Sequence, residues 1–370
     1  MITEIRCSSL HRPMHCLGYL SLENLVKEEA GQPAKDGTAI GELLSEMIRQ
    51  RTDSPKIGTT ASNGTFLDQD MWFYARDTYN TILQRAQGNL IETEERIDWM
   101  TPAGITIRGQ FDISFVVGNT LYVEDLKYGY GIVEVKENWQ LIGYAIGQCK
   151  RLHNLHGYHP EYISLTIHQP RPYHEEGRVR TNWFHVSTLM EYYSQICERM
   201  QEYVNGSRTL ATGKSCKYCD AASTCPALNR SANKAIDTVM SDWTEKPLTN
   251  EEVAEQHELL QRAHELLEIR LKSIEQLAIS RIQANQIIPG YAFEMTYGDR
   301  KWKQNVTPES IKALTGIDIV KTDVMSPNQA EKAGVSKKLT AALTEKPAKG
   351  TKLVKKDIAA EAAQILPKPY

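Results

Sequence analysis

The stretch Gln110–Gly129, QFDISFVVGNTLYVEDLKYG, constrains the fold more than any other part of this chain. Two apolar runs flank Gly118-Asn119, and a glycine there supplies the positive φ that a two-residue hairpin loop needs. With that loop, Val117 pairs with Thr120, and stepping outward sets Asp112 opposite Asp125, their Cβ atoms roughly 5 Å apart. Side chains alternate along a strand, so Leu121, Val123, Asp125 and Lys127 share a face. Two carboxylates and an ammonium therefore converge. Directly opposed like charges destabilise a sheet unless something cancels them. A divalent cation would do so, and carboxylates are the ligands that Mg²⁺ prefers. The other reading of the hairpin is a surface ribbon whose polar face meets water.

At 370 residues the chain is long enough for one large domain with an appendage. Its net charge of −3 gives no global basic excess, so an anionic partner must be met by a local patch. No apolar run approaches the roughly 20 residues of a membrane span, and MITEIRCSSLHRPMHC lacks the apolar core of a secretory signal. A cytoplasmic location and no membrane partner are expected. Seven cysteines are an odd number, and their clustering in a reducing compartment points to metal rather than disulfides.

Helical spacing of apolar residues predicts helices over 37–50, 68–87, 138–153 and 187–203. Strands are predicted near 92–100, 105–117, 121–127 and 162–169. The order α-β-β-β-α-β describes a mixed α/β domain over residues 1–235. Thr249-Asn250-Glu251-Glu252 is a capping box, with Leu248 and Val253 as its staple. Val253, Leu260, Leu267 and Ile274 recur every seven residues behind it, predicting a long helix that stops before Pro289-Gly290. Residues 236–330 are expected to form this arm with a small appendage, and 331–370 a basic, partly mobile tail.

Beyond the hairpin, Gln140 and Tyr144 stand four apart on one face of the 138–153 helix. Asp112, then Asp125-x-Lys127, then Gln140-xxx-Tyr144 together resemble the RecB-like branch of the PD-(D/E)XK nuclease superfamily. The resemblance implies a mixed central sheet flanked by helices, Asp112 and Asp125 binding Mg²⁺ or Mn²⁺, Lys127 assisting the attacking water, and Gln140 and Tyr144 completing the site. The family pattern resembling GTAxHE carries a metal-binding His. Here GTAIGE places Gly41 at that position, leaving Glu42 or water as substitutes.

Cys216, Cys219 and Cys225 form CxxCxxxxxC, and three thiolates so close suit zinc or an iron–sulfur cluster. A fourth ligand must come from elsewhere. AddB-type nucleases draw one cysteine from before the nuclease core and close a [4Fe-4S] cluster. That likeness implies Cys16 as the fourth ligand, Cys7 as runner-up, and zinc as the competing metal.

The order SSxHR…C, DLKYGYG…VEVKENWQLIGYA, CxxCxxxxxCPAL and MSPNQAEKAG resembles a phage- and prophage-associated family of unknown function across nearly the whole chain. It implies a metal-dependent DNA nuclease, with exonuclease action in phage replication or recombination, and a single-strand-binding or annealing protein as a further partner. The alternative is a non-catalytic DNA-binding or recombination scaffold that keeps the fold. Two shorter patterns carry nothing: Thr212-Gly213-Lys214-Ser215 lacks the first glycine of a P-loop, and His257-Glu258 and His264-Glu265 do not form HExxH.

Overall fold

The computed structural model of the chain describes residues 3–21, 32–54, 56–219, 221–240, 249–297, 301–302, 306–317, 319, 326–345 and 348–355. Contacts divide it into two compact units, Met1–Arg270 and Leu271–Tyr370.

The first unit runs β1 (Glu4–Arg6), α1 (His11–His15), α2 (Gln32–Gln50), α3 (Gln69–Ala86), β2 (Ile91–Met100), β3 (Thr106–Val117), β4 (Thr120–Leu126), α4 (Trp139–His156), β5 (Tyr162–His168), β6 (Val179–His185), α5 (Val186–Val204), α6 (Pro226–Met240) and most of α7 (Asn250–Gln283). The expected mixed α/β architecture is present: a six-stranded mixed sheet flanked by helices. Order in the sheet is β1-β3-β4-β5-β6, with β2 also paired to β3.

The hairpin sits at the centre. Gly118 has φ +59°, and Val117 pairs with Thr120, as the two-residue loop requires. The antiparallel ladder continues outward to Ile113 opposite Glu124. β4 pairs in parallel with β5, and α4 makes the crossover. Asn138 caps α4 by accepting from the Leu141 amide at 3.2 Å, and Gly157, φ +63°, ends it.

Both faces of β4 are covered. Leu121 and Val123 join Leu141, Ile142 and Ala145 of α4 and Leu189 and Ile196 of α5 in one core. Leu126 joins Ile113, Phe115 and residues of α2 and α3 in the other. The second core admits a buried acid: Glu124 accepts from Arg85 of α3 at 2.7 Å and meets His168 Nε2 at 2.6 Å. Burial pushes the Glu124 carboxyl up, but His168 and Arg85 together outweigh it and hold it below the ordinary range.

β3 has two edges, and their use explains the site. β2 runs along one edge from Thr106 to Phe115. The other edge is shared: β4 takes Ile113–Val117 and β1 takes Thr106–Arg108 in parallel. Between β1 and β4, residues 109–112 are left without a partner strand on that edge. On the β2 edge the pairing also skips one step, between Thr93–Ile113 and Glu95–Phe111, where Glu94 has φ +56°. The sheet is therefore opened locally around Asp112.

The long helix α7 starts where the capping box placed it: Glu252 N donates to Thr249 Oγ1 at 3.2 Å, and Thr249 N to Glu252 Oε2 at 2.8 Å. Leu248, the outer half of the expected staple, lies outside the described residues. In the second unit, β7 (Tyr291–Tyr297), β8 (Lys301–Trp302), α8 (Pro308–Thr315), α9 (Pro327–Lys332), α10 (Lys337–Leu343), β9 (Thr344–Glu345) and β10 (Ala348–Lys355) follow. The lysine-rich stretch thus contains a helix and a strand that pairs antiparallel with β7. Residues 356–370 of the expected tail lie outside the described residues. Among the described residues no helix is long and apolar enough to cross a membrane.

Candidate active-site cleft and cysteine cavity

Asp112, Asp125, Lys127 and Gln140 line one cleft of about 1020 Å³, together with Gly41, Glu42, Arg49 and Glu94. β3 and β4 present the two aspartates, the residues just after β4 present Lys127, and the first turn of α4 presents Gln140. One edge bond locks Asp112: its Oδ2 accepts the Leu126 amide at 3.0 Å, using an N–H beyond the last paired residue of the hairpin.

Lys127 Nζ lies 3.0 Å from Asp125 Oδ1, 2.8 Å from Asp125 Oδ2 and 3.3 Å from Gln140 Oε1. The shorter approach to Oδ2 is an ion pair off the hydrogen-bonding angle. Gln140 Nε2 donates to Asp125 Oδ1 at 3.3 Å and to Tyr144 Oη at 2.9 Å. These four residues, singled out by the motif resemblance, form one connected chain of polar contacts.

The electrostatics follow from burial. Desolvation and the neighbouring Asp125 charge push the Asp112 carboxyl up to about 8, against the opposing pull of Lys127 and the Leu126 amide. Lys127 is raised despite desolvation, because both aspartates favour its charged form. Two acids share one cation and one buried spot. Two carboxylates are the ligand type that a divalent cation such as Mg²⁺ prefers.

Space for Tyr144 is made by a missing side chain. A Cβ on Gly109 would lie 2.5 Å from the Tyr144 ring and 3.0 Å from Cys7 Sγ. Gly143 does the same for Cys7, at 3.0 Å. Cys7 is thereby sealed in the main core, and burial pushes its thiol up to about 12.

Glu42 reaches the cleft, but its carboxylate is bound to the Ser62 amide at 3.1 Å and to the Ser62 hydroxyl. At Gly41 an added Cβ meets nothing within 4 Å, so the position that lacks the family histidine is open space. Two cleft residues had no sequence signal. Glu94 accepts from Gln110 at 2.5 Å, and burial raises its carboxyl. Arg49 is fixed by Thr93, through Oγ1 at 3.1 Å and the carbonyl at 3.0 Å. Glu94 sits at the local break in β2, which no periodicity reveals, and Arg49 meets the residue just before it.

Cys16, Cys216, Cys219 and Cys225 line one small cavity with Arg12 and Tyr19. Backbone contacts bring Cys16 there: Gly18 N donates to Thr209 O at 2.9 Å, and the Ala211 amide to Cys16 Sγ at 3.5 Å. Gly18 permits the approach, since a Cβ would meet Leu210 at 2.2 Å. Burial pushes the Cys219 thiol up to about 11, with Cys216 and Cys225 adding to the rise. Among the described residues, no three His, Cys, Asp or Glu side chains stand close enough to grip a metal ion as placed. The four cysteines share a cavity, and a tetrathiolate set is what zinc or iron–sulfur chemistry uses. Cys7 is not part of it.

Among solved structures, the chain is similar to a candidate exonuclease from Eubacterium rectale, with 12% identity, 67% of this chain and 91% of that one covered, and a TM-score of 0.36. A phage-related exonuclease from Haemophilus somnus 129PT matches at 13% identity, covering 55% and 95%, with a TM-score of 0.24. An alkaline exonuclease from Laribacter hongkongensis matches at 13%, covering 55% and 91%, with a TM-score of 0.23. The family model described as "Protein of unknown function (DUF2800)" matches residues 4–360, so the chain belongs to that family.

Proposed function

We propose that this protein is a metal-dependent DNA nuclease that hydrolyses phosphodiester bonds, acting as an exonuclease in phage DNA replication or recombination. The observation that carries the reading is the contact chain Asp125–Lys127–Gln140–Tyr144 beside the half-buried Asp112, with Asp112, Asp125, Lys127 and Gln140 lining one open cleft and Tyr144 behind them. Asp112 and Asp125 would hold Mg²⁺ or Mn²⁺. When bound, the cation supplies Lewis-acid polarisation of phosphate and a more acidic water.

The chain's own groups do the rest. Lys127 adds positive charge where negative charge develops in the transition state. Gln140 holds Asp125 and Tyr144 in fixed orientation through its amide. The cleft, at about 1020 Å³, has room for a strand of DNA. The four cysteines of the second cavity would hold a [4Fe-4S] cluster, with zinc as the alternative, and join the N-terminal segment to the region after α5. A single-strand-binding or annealing protein would be a further partner in recombination, a role supported by the motif resemblance alone.

The test is incubation of end-labelled linear DNA with the full chain and Mg²⁺ or Mn²⁺. Release of short products is expected, with rates reduced about 10²–10³-fold in Lys127→Ala and at least as much in Asp125→Ala. A cleavage rate unchanged in both variants would overturn the reading. Tight DNA binding without any cleavage under either cation would favour the scaffold reading instead.

A further inference from the structure

A second cavity, of about 430 Å³, opens beside the cleft and is lined by Arg6, Ser8, Arg96, Arg108, Gln110 and Tyr144, with Cys7 and Gly109 at its floor. Gln110 lines both cavities. Tyr144 joins them by its bond to Gln140. The cavity occupies the stretch of β3 that neither β1 nor β4 covers.

Its charge is unusual for its position. Arg6 of β1 and Arg108 of β3 are direct partners in the parallel register. Arg96 of β2 stands opposite Gln110, one pleat further along. Like charges directly opposed across strands are destabilising. Arg108 is offset by Glu4 at 2.6 Å, and Asp98 is its partner on β2. Among the described residues, the guanidinium groups of Arg6 and Arg96 have no hydrogen bond or ion pair, while their backbones pair within the sheet. In a chain of net charge −3, two uncompensated guanidinium groups and a third beside them concentrate positive charge on one cavity.

We infer that this cavity is a phosphate-binding subsite that takes a non-scissile phosphate of the DNA strand. The inference rests on the nuclease reading for its ligand, and on the cavity for its place. Guanidinium groups bind phosphate oxygens through paired N–H donors, and Ser8 adds a neutral donor at the same wall, while the Gln110 amide is held by Glu94. A strand held there is carried past Tyr144 to the paired aspartates, so the subsite fixes where the chain is cut.

The test is equilibrium binding of fluorescent single-stranded oligonucleotides to the full chain without divalent cation, measured by anisotropy across a NaCl series. Reading binding without cleavage separates this subsite from the catalytic claim. The double variant Arg6→Gln/Arg96→Gln should bind about tenfold or more weakly, and the slope of log K against log salt should shrink by about one to two. Arg6→Lys/Arg96→Lys should recover part of the affinity, and Arg76→Gln, on α3, should match wild type. Three probes distinguish the source of the phosphate. Loss confined to a 5′-phosphorylated oligonucleotide marks a terminal phosphate, whereas equal loss on 5′-hydroxyl and circular strands marks an internal one. Unchanged affinity and salt slope in the double variant, or no DNA binding by the wild type, would overturn the subsite.

Discussion

Gly41 is the residue at which this chain leaves the motif it otherwise follows, and the open space above it makes the departure testable. Replacing it by histidine should not disturb the fold, because glycine inside a helix is about 1 kcal/mol worse than alanine and histidine lies between them. Gly41→His is expected to keep its Tm and to tighten Mn²⁺ binding, as read by isothermal titration. An affinity equal to wild type would mean the cleft needs no third protein ligand from α2. Gly109 behaves in the opposite way. Gly109→Ala forces a methyl against the Tyr144 ring, which overpacking places at about 1–3 kcal/mol. A fall in Tm of a few degrees per kcal/mol is expected, with cleavage weakened because Tyr144 moves. Cys7 gives the pH-dependent case. Its folded thiol stays protonated to about 12 against an ordinary value of 9.0. Between those values the unfolded chain loses the proton and the folded one keeps it. Cys7 therefore contributes stability that is full below pH 9 and declines as pH rises toward 12. At pH 8, iodoacetamide followed by mass mapping should leave Cys7 unmodified until the chain unfolds.

At the scale of elements, α4 and the hairpin carry the site. The Asn138 side chain caps the helix whose first turn holds Gln140. Asn138→Ala should cost about 1 kcal/mol and lower the cleavage rate, while leaving the hairpin register intact. Much of this was legible in the sequence. Gly118-Asn119 set the register, and the ladder that follows from it runs to Ile113–Glu124, one step short of the two aspartates. The 3.6-residue period placed Gln140 and Tyr144 on one face. The capping box located the start of α7. What escaped was long-range: β1, three residues from the N-terminus, pairs with β3 across a hundred positions, and its signal is too short to read. β6 escaped as well, because VRTNWFH alternates weakly and lies at an edge of the sheet. Glu94 escaped because the break at which it sits belongs to the pairing of β2 with β3, and Arg49 because its partner Thr93 is 44 positions away. The basic stretch was read by charge, which hid the strand propensity of TKLVK.

For the whole molecule, the two proposed inorganic centres divide the work. The cysteine cavity joins residues about two hundred positions apart, and closing so long a loop lowers the entropy of the unfolded chain. Cys16→Ser should lower Tm by several degrees or more and, if the centre is iron–sulfur, reduce absorbance near roughly 400 nm in anaerobically purified protein. Colourless protein with stoichiometric zinc would keep the join and change the metal. The cleft, by contrast, is where the proposed chemistry would take place, and the proposal turns on the two aspartates of one hairpin sharing a divalent cation. Mn²⁺ diffused into crystals of the full chain and located by anomalous scattering tests this most directly. A strong peak between the carboxylates of Asp112 and Asp125, absent in Asp125→Ala, is the predicted result. A cleft with no peak there, or a peak that survives Asp125→Ala unchanged, would contradict it.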